Sequence, residues 1–200
     1  MSKTTISLLT IVCILCSCAT SYKPINPQKL YFSAATVGDS LNYAVRGNVL
    51  AEAGNERYAK KEIKNNVRLI GVQVVNKSDH DIVLRKDARF YLGDKVVFPI
   101  EPEQLKNQLK QPAGLYMLWS LLWVVVAKCE NDDCNVIPIP LGFLIGVGNT
   151  SKASKANKAL LHELEQNNIL DRVIHPGEAV TGLIGVAGSG DTPLRIELSK

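Results

Sequence analysis

The most regular feature of the chain is a series of short segments in which apolar residues alternate with polar ones or form brief continuous runs. The strongest covers residues 67–75, which are mostly Val, Leu and Ile. Such runs favour strands in a sheet. Clusters rich in Gly, Pro, Asn, Asp and Ser separate them and are typical of turns. The remaining segments of this kind are residues 41–45, 82–84, 89–92, 95–98, 172–174, 179–186 and 194–198.

Two of the turn clusters indicate how neighbouring strands connect. The pair Gly93-Asp94 lies between two apolar segments and predicts a β-hairpin. A second turn, residues 175–178, precedes the segment 179–186. About seven short strands joined by such turns are typical of a mainly β fold and of an immunoglobulin-like β-sandwich.

The sandwich pattern is interrupted by an insertion at about residues 101–171. Its beginning, residues 102–110, predicts a short helix because a proline stands in the first turn. Its end, residues 151–170, predicts a longer helix with Thr150 or Ser151 as the N-cap. We therefore expect an apolar and partly helical insertion within one β-sandwich domain.

Between these two helices lie two uncharged apolar segments, residues 114–127 and 136–148. A membrane-spanning pair is the least favoured interpretation, because the second segment contains two prolines and three glycines. Burial in the core or under a partner, and insertion into the lipid interface, both remain open. In either case these segments form the best candidate contact surface. We expect membrane or partner contacts from Leu115, Trp119, Leu122, Trp123, Phe143 and Leu144.

Two cysteines, Cys129 and Cys134, flank a short polar turn between the apolar segments. In an oxidising compartment, two cysteines at this spacing favour a disulfide. Free thiols and a metal site are the alternatives. A metal site would need further ligands, and no histidine lies nearby in the sequence.

The first 17 residues have the organisation of a secretory signal. The single cation Lys3 precedes an apolar stretch, residues 6–15, which as a helix of about 15 Å is too short to span a bilayer. Small residues follow, as they do before a cleavage site. We expect residues 1–17 to be removed.

The run 15–18, Leu-Cys-Ser-Cys, resembles the lipobox of bacterial lipoproteins. The resemblance implies that Cys18 carries diacylglycerol as the first residue of the mature chain. Cys16 is a competing candidate, but the bulky Leu15 would then precede the cleaved bond. The alternative is an ordinary secretory signal, with Cys18 as a plain thiol.

The resemblance also implies a location. Two or three acyl chains, at about 0.8 kcal/mol per buried methylene, anchor a domain without a transmembrane helix. Ala19 follows the cysteine, and the sorting rule of the family then implies the outer membrane. No acidic run of the kind that directs surface export follows Cys18, so the resemblance favours the periplasmic face, with surface exposure as the open alternative. Residues 18–28 contain two prolines and predict a lipidated tether before the domain at residues 29–200.

Parts of the body resemble the telokin-like, immunoglobulin-like domains of bacterial lipoproteins. The similarity lies in a strand ending at residues 74–78, the segment 82–84, and the run 174–184, whose Pro-Gly-Glu turn leads into a strand. It implies a fold and carries no catalytic residue.

Composition limits the remaining functions. With 46% apolar and 21% charged residues, the chain is neither a disordered polyelectrolyte nor a polytopic membrane protein. The net charge of +4 is spread along the chain and does not indicate nucleic-acid binding. The charged segment 55–62 is interpreted as the solvated edge of a sheet.

No catalytic pattern is evident. The histidines His80, His162 and His175 lie in unrelated segments, and nucleophile-elbow and phosphate-loop motifs are absent. We therefore expect a non-enzymatic cell-envelope lipoprotein, without cofactor or metal, whose partner is membrane lipid through Cys18. An envelope protein is a further expected partner. The alternatives are an envelope hydrolase with a site built from distant residues, and a carrier of lipids or small molecules.

Overall fold

A computed structural model describes residues 18–32, 35–130, 133–188, 190 and 192–199. The predicted signal sequence lies outside the described residues. The chain divides into two compact units. Unit 1 comprises the described part of Met1–Ser21 together with Gln111–Ala156, and unit 2 comprises Tyr22–Lys110 and Asn157–Lys200.

The strands are short, and all their pairings are antiparallel. In chain order they are β1 (Ala35–Thr36), β2 (Leu41–Arg46), β3 (Val67–Asn76), β4 (Ile82–Val83), β5 (Ala88–Leu92), β6 (Lys95–Val97), β7 (Pro99–Ile100), β8 (Val124–Glu130), β9 (Asp133–Ile139), β10 (Val173–Ile174), β11 (Ala179–Ala187) and β12 (Leu194–Leu198).

Helices occupy much of the remaining chain. Two 3-10 helices cover Pro27–Lys29 and Ala113–Leu121. The α-helices are α1 (Val49–Glu52), α2 (Glu56–Asn65), α3 (Leu84–Asp87), α4 (Pro102–Leu109) and α5 (Leu141–Gln166).

The described residues of unit 2 form three sheets. The largest has the strand order β1-β2-β3-β11-β7, the second has the order β12-β5-β6, and β4 pairs with β10. At the centre, β3 pairs along most of its length with β11, with Val72 opposite Gly182. Strand β3 is buried along most of its length. Ile70 and Val72 lie in the main core, and helices α1 and α2 also contact the strand, which explains why most of its residues are aliphatic. The predicted strand at residues 67–75 is confirmed.

The predicted hairpin at Gly93-Asp94 is also confirmed. Strands β5 and β6 pair next to it, with Leu92 opposite Lys95. Gly93 has a φ of 61°, a left-handed conformation that a residue without Cβ adopts at little cost. Two-residue hairpin turns require this conformation, so the glycine sets the register of the hairpin.

The main core of unit 2 lies between its sheets. Ile70 of β3 and Ile184 of β11, from the large sheet, share one cluster of buried side chains with Phe90 of β5 and Ile196 of β12. Helices supply further buried residues. The protein is thus a mixed fold of antiparallel sheets and helices. The predicted antiparallel strands are present, but helices account for a large part of the chain as well.

The interpretation of residues 55–62 as a solvated sheet edge is wrong. They begin helix α2, in which Tyr58 and Glu62, four residues apart, are buried. Lys60 and Lys64 are exposed. Four residues are about one helical turn, so the charged sequence is amphipathic with a narrow buried face.

The insertion differs from its prediction in detail. The short helix near residues 102–110 is confirmed as α4, whereas the predicted long helix starts earlier, at Leu141. Thr150 therefore lies inside α5, and its hydroxyl donates to the carbonyl oxygen of Ala113 at 3.1 Å, so the predicted cap is wrong. The two apolar segments do not form two matching elements. The first comprises a 3-10 helix and β8, and the second comprises β9 and the start of α5.

Candidate functional site

The residues that follow Cys18 are fixed on unit 1. Ala19 is 2% exposed and lies in a small cluster with Tyr116 and Ala153, against which Trp119 also packs. The N–H of Ala19 donates to Oδ1 of Asn149 at 2.8 Å. We call this group the Ala19 cluster. The chain next to Cys18 is thus part of a packed surface.

Gln111 continues the attachment in the next residue. Its Oε1 accepts the N–H of Thr20 at 3.1 Å, and its Nε2 donates to the carbonyl oxygen of Thr20 at 2.8 Å. Two paired residues of neighbouring antiparallel strands form the same two bonds, one from each N–H to the opposite carbonyl oxygen. The two bonds from Gln111 satisfy both backbone groups of Thr20.

The following residues are held within unit 2. The N–H of Lys23 donates to Oδ1 of Asn55 at 2.8 Å, and Nδ2 of Asn55 donates to the carbonyl oxygen of Lys23 at 2.7 Å. The N–H of Ile25 donates to Oε1 of Glu163 at 2.7 Å. Residues 18–28, predicted as a tether, are therefore bound by side chains along much of their length.

Two glycines allow α5 to approach the 3-10 helix of unit 1 closely. A Cβ atom on Gly142 would lie 1.8 Å from the carbonyl oxygen of Trp119, and one on Gly146 would lie 3.0 Å from that of Tyr116. The glycine face of α5 is therefore buried against backbone. Larger side chains of the same turns, such as Leu144, are left to face outward.

Unit 1 exposes a large set of apolar side chains on these two helices and the residues that follow the 3-10 helix. Leu144 is 69% exposed and Trp123 is 60% exposed. Soluble monomers seldom leave so many large apolar side chains in water. We call this set the apolar surface; it consists of Leu115, Leu118, Leu121, Leu122, Trp123, Phe143, Leu144 and Val147.

The structure separates one of the six predicted contact residues from the others. Leu115, Leu122, Trp123, Phe143 and Leu144 belong to the apolar surface, but Trp119 is half-buried against the Ala19 cluster. Further members were not predicted, namely Leu118, Leu121 and Val147. Periodicity could not identify them, since almost every residue of these segments is apolar.

The hairpin of β8 and β9 is apolar on both faces near its base. Val125 and Val136 lie on one face, and Ile137 and Ile139 on the other; all four are exposed. At the polar end, the backbone register places Cys129 directly opposite Cys134. Within the described chain, β8 and β9 pair with no other strand.

The histidine and carboxylate side chains of unit 2 that could take part in catalysis or metal binding are dispersed over the unit. Nδ1 of His175 lies 2.8 Å from Oδ1 of Asp81, and this contact raises the pKa of His175. Nδ1 of His80 lies 3.0 Å from Oδ1 of Asp79. Both pairs are exposed in turns. Over the described ranges, no three His, Cys, Asp or Glu residues are grouped so that they could hold a metal ion.

One cavity of unit 2 has a volume of about 560 Å³. Its charged lining residues are Asp94 and Lys95, which adjoin the hairpin turn, and Asn66 and Thr192 add polar groups. Among the described residues that line it there is no histidine and no cysteine, and no nucleophile is paired with a base.

Comparison with known proteins does not assign the chain. No family model matches it, and no curated protein and no solved structure does so. In the part of the chain that the structure describes, no helix has the length and apolar character needed to cross a membrane. The apolar surface and the position of Ala19 are therefore the features on which a function can be argued.

Proposed function

We propose that the protein is a non-enzymatic, lipid-anchored protein of the cell envelope, and that unit 1 rests on the membrane through the apolar surface. The observation that carries the proposal is the burial of Ala19 in the unit that exposes this surface. Acyl chains on Cys18 would leave directly from unit 1. A free tether would not separate them from it.

The energetics favour lipid as the partner of the apolar surface. Burying one large aliphatic or aromatic side chain contributes about 1.5–3 kcal/mol. The N–H groups in the first turn of a helix have no acceptor within that helix. In α5 the N–H of Gly142 donates to the carbonyl oxygen of Leu122 at 3.0 Å, and that of Phe143 donates to the carbonyl oxygen of Pro140 at 3.1 Å. These groups can therefore enter the lipid interface already paired. Trp123 suits headgroup depth, where an apolar ring with one N–H group is favoured. The acyl chains would provide the anchor, and the apolar surface would orient the protein.

A protein partner is a second candidate, and the hairpin of β8 and β9 supports it. Both faces near the base expose apolar side chains, including Val125 and Ile137. Lipid would cover these faces but would leave backbone groups at the strand edges unpaired. A partner from the envelope that contributes a strand would cover the apolar faces and would also pair the backbone groups at the strand edges.

The proposal also includes an immunoglobulin-like sandwich for unit 2 and a location at the outer membrane. Ile70 and Phe90, from the two larger sheets, lie in one buried cluster, which supports an immunoglobulin-like sandwich for unit 2. The lipobox resemblance supports acylation of Cys18 in the outer membrane, with the protein facing the periplasm. The motif is the sole support for that location.

The test combines mass spectrometry with membrane fractionation. In the natural chain, we expect the N-terminal peptide to carry acyl groups on Cys18. A second form replaces residues 1–17 with a cleavable secretory leader and carries Cys18→Ala, so that no lipid is attached. We expect this form to retain partial membrane association. Adding Leu121→Asp and Leu144→Asp should release it into the soluble fraction.

Exposed apolar residues of unit 2 provide a matched control. Val37→Asp with Ile63→Asp adds the same charges at residues that are also well exposed, and we expect no release. An unmodified Cys18 would refute the lipid anchor. A form without lipid that is fully soluble before any Asp is added would refute the membrane contact of the apolar surface.

A further inference from the structure

The exposed face of α5 in unit 1 changes from apolar to basic along the helix axis. Leu144 and Val147 are exposed near its start, and Lys152 and Lys155 are exposed after them. At 100° per residue, Leu144 and Lys155 differ by only about 20° around the axis. The opposite face contains the buried Ala153.

If the axis of α5 lies along the membrane normal, its spacing places Lys152 at the depth of the lipid interface and Lys155 a few ångströms beyond it. Lys152 follows Val147 by about 8 Å and Lys155 follows it by about 12 Å, at 1.5 Å per residue. The interfacial region on each side of a bilayer is about 5–8 Å thick. When Leu144 and Val147 touch the acyl chains, the lysine side chains reach the phosphate groups, since long basic side chains extend toward the polar layer.

Outside the β8–β9 hairpin and its turn, which contain Lys128 and three acidic residues, the charged side chains of unit 1 all have the same sign. Apart from the β8–β9 hairpin and its turn, Lys152 and Lys155 are the charged residues between Gln111 and Ala156, and residues 18–21 carry no charged side chain. Neither lysine forms an ion pair with a residue that the structure describes. Their charges are therefore available to a ligand.

We infer that unit 1 selects membranes with anionic headgroups, and that Lys152 and Lys155 bind the lipid phosphates next to the apolar surface. This inference rests on the proposed function, because the lysines reach the phosphates only when the apolar surface lies on lipid.

The test measures partition onto vesicles. The protein is the chain from residue 18 onward with Cys18→Ala, which retains every other described residue. One set of vesicles is neutral phosphatidylcholine, and in the other phosphatidylglycerol replaces about a third of it. Each lysine near an anionic surface strengthens binding about fivefold, so we expect roughly 25-fold tighter binding to the anionic vesicles at low salt. Raised salt should remove that difference and leave binding to neutral vesicles.

Variants assign the effect to the two lysines. Lys152→Gln with Lys155→Gln should reduce the preference to near equality and leave neutral binding unchanged, which also shows that the variant is folded. Lys60→Gln with Lys64→Gln removes two exposed helical lysines of unit 2 and should keep the preference.

The outcomes separate the two claims. Equal binding to both vesicle types by the unsubstituted protein would overturn the inference and leave the proposed function standing. Absence of binding to either type would overturn both. A preference that survives the loss of Lys152 and Lys155 would overturn their assignment.

Discussion

The carboxyl group of Glu163 accepts the backbone N–H of Ile25 at 2.7 Å, across 138 positions of the chain. The same oxygen accepts the N–H of Asn26 at 3.1 Å. Ile25 and Glu163 are both buried, so water does not replace these bonds readily. A residue near the end of α5 therefore fixes the beginning of unit 2.

Replacing Glu163 should free this part of the chain. In Glu163→Ala, two N–H groups lose their acceptor, and we expect the free energy of unfolding to fall by about 2–3 kcal/mol. Hydrogen exchange at Ile25 and Asn26 should accelerate. Glu165→Ala, at an exposed position of the same helix, should change stability by less than about 0.5 kcal/mol. Unchanged exchange at Ile25 would contradict the role of Glu163.

Asn76 joins two turns of unit 2 and is fully buried. Its Nδ2 donates to the carbonyl oxygens of His80 at 2.7 Å and Ile174 at 2.9 Å. We expect Asn76→Ala to lower the free energy of unfolding by about 2–4 kcal/mol, because the buried carbonyl group of Ile174 and the partly buried one of His80 lose their donor. Denaturant unfolding measures the change. The exposed Asn107→Ala is the control, and an equal loss in both variants would exclude a special role of Asn76.

Glu62 should make stability depend on pH. Its Oε1 accepts the N–H of Leu69 at 2.6 Å, and burial raises the pKa of Glu62 to about 7. The unfolded chain binds this proton only below about pH 4.5. The folded state therefore holds more protons between these pH values, and the free energy of unfolding falls by about 3 kcal/mol as pH rises from 4.5 to beyond 7.

A neutral isostere tests this dependence. Glu62→Gln should remove that fall and be more stable than the natural protein at pH 8, where the buried carboxylate is charged. The exposed Glu56→Gln, in the same helix, should keep the fall. Denaturant unfolding at several pH values measures both, and an identical pH profile for Glu62→Gln and the natural protein would refute the assignment.

Two glycines of α5 should respond in opposite ways to substitution. Gly142→Ala places a methyl group against the carbonyl oxygen of Trp119, so the helix must move, and we expect a loss of more than about 2 kcal/mol. A Cβ on Gly148 meets no atom within 4 Å. Gly148→Ala should therefore stabilise the helix by about 0.5–1 kcal/mol. Thermal unfolding followed by tryptophan fluorescence distinguishes the two, and similar effects would contradict the close packing.

Cys129 and Cys134 face each other in the backbone register of β8 and β9. We expect a disulfide between them in an oxidising compartment, since antiparallel partners lie about 4.5–5.5 Å apart at Cα. Mass spectrometry without reduction should find residues 129 and 134 in one cross-linked peptide. Cys134→Ser should leave Cys129 open to alkylation. Full alkylation of both cysteines in the natural, unreduced protein would refute the bond.

Local pattern was sufficient for the central strands and for one turn. Strand β3 is recognisable because it is buried along most of its length, and mostly aliphatic residues suit such a position. The hairpin at Gly93 is recognisable because its turn needs a left-handed φ. For the hairpin the physical cause lies in the turn itself, whereas β3 is buried by distant elements and only its composition reveals this.

The same reasoning failed for α2 and for the apolar segments. Helix α2 buries Tyr58 and Glu62 among charged residues, so its apolar face was too narrow to detect. In the apolar segments almost every residue is apolar, and a pattern without contrast has no period. The boundary between β9 and α5 was therefore invisible.

The sequence by itself determined where the main strands lie along the chain, the hairpin turn, the spacing of Cys129 and Cys134, and the motif around Cys18. Only the tertiary structure decided that Ala19 is buried, that Glu163 holds Ile25, and that Leu144 is exposed while Gly142 is covered. The reason is physical. Strand and turn preferences arise between near neighbours, whereas burial of a residue depends on partners more than a hundred positions away.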